Sequence, residues 1–552
     1  MEEQAARHRA GIGRMWAAAR TKRDLGPLLL LLVLAMAMRL WLVWHTEVAA
    51  RDSIGYVRYA WQLQHRPWTD VLRDMEQPPG YALALLAVSY PVHQFAHGPE
   101  STVMVLSAQL TSAFAGVLLV IPMFYLGKEI FDRRVAFWAC LLFQFLPATG
   151  RMLSDALTEA IFLLFASSAM FFGVRALQTR SVVTFGLCGL CGGLAYLTRA
   201  EGGVIVAATG IVLLASQVVR GWRCPFGRLV ACAGTLAVSA LVVAGPYMAV
   251  IGKISHKESH VKPFWGAWLD ERDGGALTDD SSSLTATCQS VPNMPLAVWW
   301  SGAQTEHPRR LWWGLEALAT ELTKGTFHIG WLPALLALWW FRDRFRVVPG
   351  TWILLVVCVT MVLALWRLAA VMGYISERHA MLILFCGMFW MAAGIGVAGD
   401  WLAWQARRFL AAQHPRAARL LTNGRLLSAV LLLAFIGAAL PKSLETLHGN
   451  RAGLRQAGLW LSEHADPSDT IKDPYCWSHY YAGWVFREGL PNEPPRGHKH
   501  KCYFVLEHSR SEHVRLPGLE EAKQAEKTGT LCYRWAGKQG RQRAEILVYA
   551  LP

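Results

Sequence analysis

Apolar runs of membrane-spanning length, joined by connections that alternate between strongly basic and not, constrain this chain more than any other feature. A span needs roughly 20 predominantly apolar residues. About eleven stretches qualify: 26–44, 101–126, 135–150, 157–176, 182–198, 202–219, 228–251, 326–341, 349–367, 379–399 and 426–441. The fifth and sixth are short and meet at Thr198-Arg199-Ala200-Glu201-Gly202. Segment 80–96 is also apolar, but Pro78-Pro79 open it and His93 and His97 follow, so it reads as a helix lying at the interface. With 54% hydrophobic residues and 25 Trp in 552, the composition is that of a polytopic membrane protein. The formal charge of +15 does not mark a nucleic-acid binder, because Lys and Arg punctuate the apolar runs instead of forming one stripe.

Placing the N-terminus inside makes the cytoplasmic connections 128–134, 175–180, 220–228, 342–346 and 407–425, and each of the five is basic. The opposite face then receives 52–77, 151–155, 199–201, the long loop 253–325, 367–378 and everything after Pro441. Arg14, Arg20, Lys22 and Arg23 precede the first run and no small-residue cleavage site follows it, which reads as a signal anchor. The expected organisation is a cytoplasmic segment 1–25, a membrane domain 26–441 with outer loops 45–100 and 252–325, and a small outer domain 442–552. In that tail Leu454, Leu459, Trp460 and Leu461 suggest an amphipathic helix closed by Asp466-Pro467. Strand-like runs follow at 470–472, 502–506, 531–535 and 545–549, with a polar helix at 520–527. The expected fold is thus an all-α polytopic membrane protein carrying a small C-terminal α/β domain on its outer face. Cys288, Cys476, Cys502 and Cys532 would face an oxidising space, where one or two disulfides can form. Cys188-x-x-Cys191 lies in a Gly-rich apolar run, where small-residue helix packing is the simpler reading than redox or metal chemistry.

Sorting polar residues by side is informative. The outer ends of the spans hold Asp52, Glu76, Arg151, Asp155, Glu159, Arg199, Glu201, Arg367, Glu377, Arg378 and His379. Ionisable groups at membrane depth are costly and usually line a functional cavity. Arg151 and Arg367 also fit interfacial anchoring. Asp155 and Glu159, four apart, would share a helix face. Asp52 has a plain structural reading as well, since Asp52 followed by Ile54, Tyr56, Tyr59, Ala60 and Leu63 starts an amphipathic helix well. Acids and arginines on one rim suit a reaction of a phosphorylated lipid, with Arg holding phosphate and a carboxylate taking a hydroxyl proton.

The order of these motifs resembles the polytopic C-type glycosyltransferases of the dolichyl-phosphate-mannose protein mannosyltransferase and lipid A aminoarabinose transferase superfamily. Asp52-Ser53-x-x-Tyr56 is similar to its acidic first-loop motif, and Gln77-Pro78-Pro79-Gly80-Tyr81 to the Pro-Pro-x-Tyr start of its interfacial helix. Asp155-Ala156-Leu157 matches its acid at the fourth span, Leu197-Thr198-Arg199-Ala200-Glu201-Gly202 its Leu-Thr-Arg-Pro-Glu-Gly, and Ser376-Glu377-Arg378-His379 its Ser-Glu-Arg-Tyr. The resemblance covers residues 26–400, and the tail resembles the extra outer domain of many bacterial members. Two departures stand out. Ser53 replaces a second acid, and Gln77 replaces a Lys or His, which leaves phosphate contacts to Arg199 or Arg378.

The resemblance implies a membrane glycosyltransferase of the bacterial plasma membrane. It would move a sugar from a polyprenyl-phosphate donor to an unidentified glycan, lipid or protein acceptor on the outer side, with inversion. Asp52 and Asp155 would be catalytic, Asp52 as general base. Tyr56, Tyr81, Arg199, Glu201, Glu377, Arg378 and His379 would bind donor phosphate or substrate. No nucleotide and no metal are called for, because the donor arrives already activated. The rivals are a transporter or flippase of lipid-linked sugars and a non-catalytic scaffold. A transporter often carries internal repeats and broken midplane helices, whereas here no repeat is visible and the polar groups gather at one face.

Overall fold

The computed structural model describes residues 2–219, 223–255, 310–372, 375–410, 423–487, 500–509, 519–539 and 542–551. The first apolar run is the C-terminal half of one long helix, α1 (Glu2–Trp44). The loop after it then folds into α2 (Arg51–His65), α3 (Trp68–Asp74) and α4 (Gly80–Phe95). α5 (Glu100–Leu118) and α6 (Val120–Ile130) follow almost without a break. α7 (Arg133–Phe145) and α8 (Pro147–Met152) come next, then α9 (Glu159–Thr179), α10 (Val182–Thr198), α11 (Gly202–Ala215) and α12 (Phe226–Ile251). After residues 256–309, which lie outside the described part, come α13 (Arg310–Gly325), α14 (Trp331–Trp340) and the short α15 (Arg344–Val347). α16 (Thr351–Met372), α17 (Met381–Leu410) and α18 (Gly424–Ser443) complete the apolar helices.

Seven stretches among the described residues are long and apolar enough to cross a membrane: Arg23–Trp44, Glu100–Ile130, Glu159–Thr179, Phe226–Ile251, Thr351–Ala370, Met381–Arg408 and Gly424–Ser443. They coincide with seven of the eleven expected spans. The other four correspond to shorter helices. α10, α11 and α14 have 17, 14 and 10 residues, and the run at 135–150 breaks where Leu146 turns extended ahead of Pro147. The expected outer loop 253–325 also ends differently. Its last part is helix α13, whose Gly314 lies against the backbone of Trp366 and Ala370 on α16.

The Gly-rich run around Cys188 is a packing surface. Beta carbons added to Gly189 and Gly193 would strike the carbonyls of Leu236 and Ala240, so the absence of side chains lets α10 lie directly on α12. Cys188 and Cys191 are free, with the Cys188 thiol facing Thr209.

The basic connections converge at one end. Lys128 pairs with Asp24, Arg175 approaches Glu129 at 3.7 Å, and the Arg133 guanidinium donates to the Arg23 carbonyl at 2.9 Å. Arg134 reaches the Arg425 carbonyl at 3.1 Å and Arg344 the Ile130 carbonyl at 3.4 Å. Charge asymmetry between the ends therefore has a structural counterpart, and it sets an expectation for orientation. A reporter fused after Pro552 should be active only outside the cytoplasm. Activity inside would invert the assignment and move the site described below to the wrong side of the membrane.

Beyond α18 the chain changes character. α19 (Ala452–His464) and α20 (Trp477–Tyr481) lead into a four-stranded sheet of β1 (Thr470–Lys472), β2 (Cys502–Ser509), β3 (Thr530–Gln539) and β4 (Gln542–Leu551), with α21 (Leu519–Thr528) between β2 and β3. The strand order is β1-β2-β4-β3, parallel only at the β1–β2 pair. Because β4 separates β2 from β3, Cys502 and Cys532 stand two strand spacings apart, about 9–10 Å, beyond disulfide reach. Cys476, Cys502 and Cys532 are free, so no disulfide forms among them, and Cys288 lies outside the described residues.

This tail does not sit apart from the helices. Leu454, Trp477, Tyr480, Phe486, Val505 and Ile546 share one buried apolar cluster with Ile54, Val57 and Trp61 of α2. Polar bonds fix the seam: Trp477 Nε1 donates to the Ala49 carbonyl at 2.9 Å, and the Tyr480 hydroxyl to the Ser101 carbonyl at 2.8 Å. Leu447 exchanges backbone bonds with His45 and Glu47, at 3.0 and 3.1 Å. The loop between α1 and α5 is thus clamped by the tail.

Candidate active site

Four junctions at helix ends supply the charged groups. Glu201 N-caps α11, and Arg199 is the extended residue that ends α10. Gly202 permits the tight corner, since a beta carbon there would run into the Ala195 and Tyr196 backbone. Glu159 opens α9, where a carboxylate is favoured by the helix dipole. Arg378 sits in the turn before α17, held by the His379 N–H to the Ser376 carbonyl at 3.0 Å. Asp52 lies in the first turn of α2, whose N-cap is Ala50 and which has no side-chain capping bond. Capping is therefore not what Asp52 does.

These groups meet around one buried carboxylate. Glu159 is 1% exposed, and its Oε1 accepts from Arg199 Nη1 at 2.6 Å and from Arg378 Nε. Arg199 Nη2 donates to Glu201 at 2.9 Å and Nη1 lies 3.4 Å from the Thr158 hydroxyl. The Arg378 guanidinium spans further: Nη1 pairs with Asp52, 326 positions away in sequence, and Nη2 lies 3.5 Å from the Tyr56 hydroxyl. The Asp52 side chain remains 49% exposed while Arg378 is 15% exposed, so the carboxylate faces the open side of the cluster. Burial disfavours charge on both guanidiniums, but the surrounding carboxylates more than offset it and hold both well above the usual arginine range.

His379 is different. Burial, with Arg199 and Arg378 adding to it, pushes the imidazole down to about 4, so near neutral pH it is uncharged. Its Nδ1 accepts from the Ser376 N–H at 3.3 Å, which places the proton on Nε2. It can offer a phosphate a neutral N–H and no charge. Tyr81 is fully buried, its hydroxyl bonded to the Ala108 carbonyl and the Ser112 hydroxyl, each at 3.0 Å. Its ring meets Tyr56 edge-on at 5.3 Å, so it supports Tyr56 from beneath. Glu377 turns away from Arg378, and burial together with neighbouring Glu321 raises its carboxyl, while Lys324, Lys442 and His328 oppose that shift.

Asp155 also stands apart from the cluster. It does not share a helix face with Glu159, because α9 begins only at Glu159. Its Oδ1 accepts from the Ala50 N–H at 3.1 Å and the Ala156 N–H at 2.8 Å, and its Oδ2 meets His448 Nε2 at 2.6 Å. Burial would raise this carboxyl, but His448 and the two N–H groups hold it below the usual range. Burial likewise lowers His448, and Asp155 reverses that and raises it. Arg151 is not an interfacial anchor. It donates to the Lys442, Glu445 and Thr446 carbonyls at 3.1, 2.9 and 3.3 Å, tying α8 to the end of α18.

The pair has a definite pH signature. The His448 contribution is present below about 6.5, its unfolded value, and is lost as pH rises through its raised folded value. The Asp155 contribution is lost only in acid, below its depressed value. His448→Ala should therefore cost about 1–2 kcal/mol at pH 6, and the deficit against wild type should shrink by pH 9. Thermal melts of both proteins at the two pH values check this. An equal deficit at both would mean the imidazole acts by packing alone.

Comparison with known proteins agrees with the motifs. Residues 102–244 match the family model of the dolichyl-phosphate-mannose-protein mannosyltransferases. No curated protein matches the sequence. Among solved structures, ArnT from Cupriavidus metallidurans bound to undecaprenyl phosphate shares the fold with a TM-score of 0.52 at 13% identity, over 95% of this chain and 98% of that one. The Archaeoglobus fulgidus oligosaccharyltransferase AglB, in complex with an inhibitory peptide and a dolichol-phosphate, gives 0.52 at 15% identity over 86% of this chain and 62% of its own. The same enzyme tethered to an acceptor peptide gives 0.51 at 15% identity, over 88% and 69%. The superfamily read from the motif order is thus supported by a sequence match inside the membrane region and by a fold that extends through the tail.

Proposed function

We propose that this chain is an inverting membrane glycosyltransferase that takes a sugar from a polyprenyl-phosphate donor and passes it to an acceptor hydroxyl on the outer side of a bacterial plasma membrane. One observation carries the reading. Asp52 of the first loop, Arg199 between α10 and α11, and Arg378 before α17 converge on Glu159 at the end of the molecule opposite the basic connections. That is the combination a phosphoryl leaving group and a hydroxyl nucleophile require. The ArnT and AglB structures, with their lipid phosphates, support a donor of this class.

In this mechanism the acceptor oxygen attacks the anomeric carbon as Asp52 takes its proton. The bond from that carbon to the phosphate oxygen breaks, and the lipid phosphate leaves with the electron pair. Arg378 and Arg199 receive the charge that develops there, and the neutral His379 adds an N–H. Tyr56, held by Tyr81, lines the same side as Arg378. Asp155 is assigned to positioning: through Ala50 it fixes the start of α2, and through His448 it joins that start to the tail. The test is purified protein with a panel of polyprenyl-phosphate sugars, following lipid phosphate release and a new glycosidic bond. Lipid movement across vesicles with no new bond would overturn the reading in favour of a transporter.

A further inference from the structure

Among the described residues, the cluster around Glu159 holds more negative than positive charge. Arg199 and Arg378 are set against Glu159, Glu201 and Asp52, and all five are linked by ion pairs. A site built only to bind phosphate tightly would not carry that surplus. Glu159 is the carboxylate least able to be screened, being 1% exposed. Its Oε1 anchors both arginines, while its Oε2 is buried with no hydrogen-bond partner among the described residues. Its charge therefore acts through the two arginines it pairs with, in surroundings where Coulomb terms are strong.

Resting on the glycosyltransferase reading, we infer that Glu159 makes the phosphate site prefer the singly charged phosphodiester donor over the doubly charged phosphomonoester product, and so promotes product release. The chemistry supplies the difference. The donor phosphate is esterified on two sides and carries one negative charge. When the bond to the sugar breaks, the lipid phosphate gains an ionisable oxygen whose second proton leaves at about pH 6. Two arginines alone would hold the dianion more tightly than the donor and stall the enzyme on its product. A fixed carboxylate on the same guanidiniums lowers the potential at the phosphate, and the dianion takes that penalty twice where the donor takes it once. Glu159 is a positioning and specificity residue in this account, acting through Arg199 and Arg378.

The test compares two lipids that lack any sugar: undecaprenyl phosphate and its methyl ester, a phosphodiester. Binding to the full-length protein in detergent at pH 8 is followed by tryptophan fluorescence for wild type, Glu159→Gln and Glu159→Asp. The readout is the affinity ratio within each variant, which a general loss of stability does not bias toward either lipid. Wild type should favour the methyl ester. Glu159→Gln should shift the ratio toward undecaprenyl phosphate by about tenfold, and Glu159→Asp, which keeps the charge, should stay near wild type. An unchanged ratio in Glu159→Gln, or Asp behaving as Gln does, overturns the inference and leaves the glycosyltransferase reading intact. If Glu159→Gln does not survive purification, wild type decides: at pH 5.5 the monoester is mostly singly charged and should gain on the ester, whereas a ratio indifferent to pH overturns the inference. Wild type binding neither lipid would bring down the glycosyltransferase reading itself.

Discussion

Asp52→Asn should slow sugar transfer by about 10²–10⁴-fold without weakening donor binding. The substitution is close to isosteric and leaves the start of α2 intact, since Ala50 is the N-cap and no side-chain bond closes that helix. It keeps an oxygen within reach of Arg378 but removes the exposed carboxylate that the mechanism uses to accept the hydroxyl proton. A structural role for Asp52 would give the opposite pattern, lower melting temperature and near-normal turnover per folded molecule. The measurement is lipid phosphate release by purified wild type and variant, with undecaprenyl phosphate affinity determined in parallel. Equal turnover would remove Asp52 from the chemistry and the centre of the mechanism with it.

What could be read from the sequence divides along physical lines. Short-range patterns were legible. Charge at the ends of apolar runs marked the end where the basic side chains gather, and alternating apolar residues located all four strands of the tail, because burial imposes those periods directly. Motif order located Asp52, Arg199 and Arg378. Their meeting point was not legible, because Glu159 carries no motif of its own. Its signals were its place among the ionisable groups at the span ends and its position four residues after Asp155, and that spacing misled. Asp155 precedes α9, so the two carboxylates point to different partners. His448 was missed for a related reason. It is a lone histidine in a left-handed turn, and only the docking of the tail onto the first loop brings it to Asp155. Tyr81 shows the converse. Its motif is a helix start, and burial of its hydroxyl under α5 makes it a support for Tyr56 and not a contact surface.

Arg378→Lys should lower transfer by at least about 10²-fold and weaken undecaprenyl phosphate binding by roughly tenfold. The reason is geometric. Arg378 uses three different nitrogens for three partners, Nε for Glu159, Nη1 for Asp52 and Nη2 toward Tyr56. A lysine ammonium concentrates its donors on one atom and cannot bridge Asp52 and Glu159 while presenting a paired face to phosphate. Arg199→Lys should behave similarly but less severely, because its partners Glu159 and Glu201 are reached from one edge of the guanidinium. A residue needed only as a positive charge near lipid headgroups would tolerate both changes, and Arg378 is too enclosed for that role at 15% exposure. Paired measurements on each variant decide between the two, affinity for undecaprenyl phosphate and the rate of transfer from the donor that wild type accepts. Wild-type affinity and rate in both lysine variants would return the arginines to interfacial anchoring and leave the leaving group without its counter-charge.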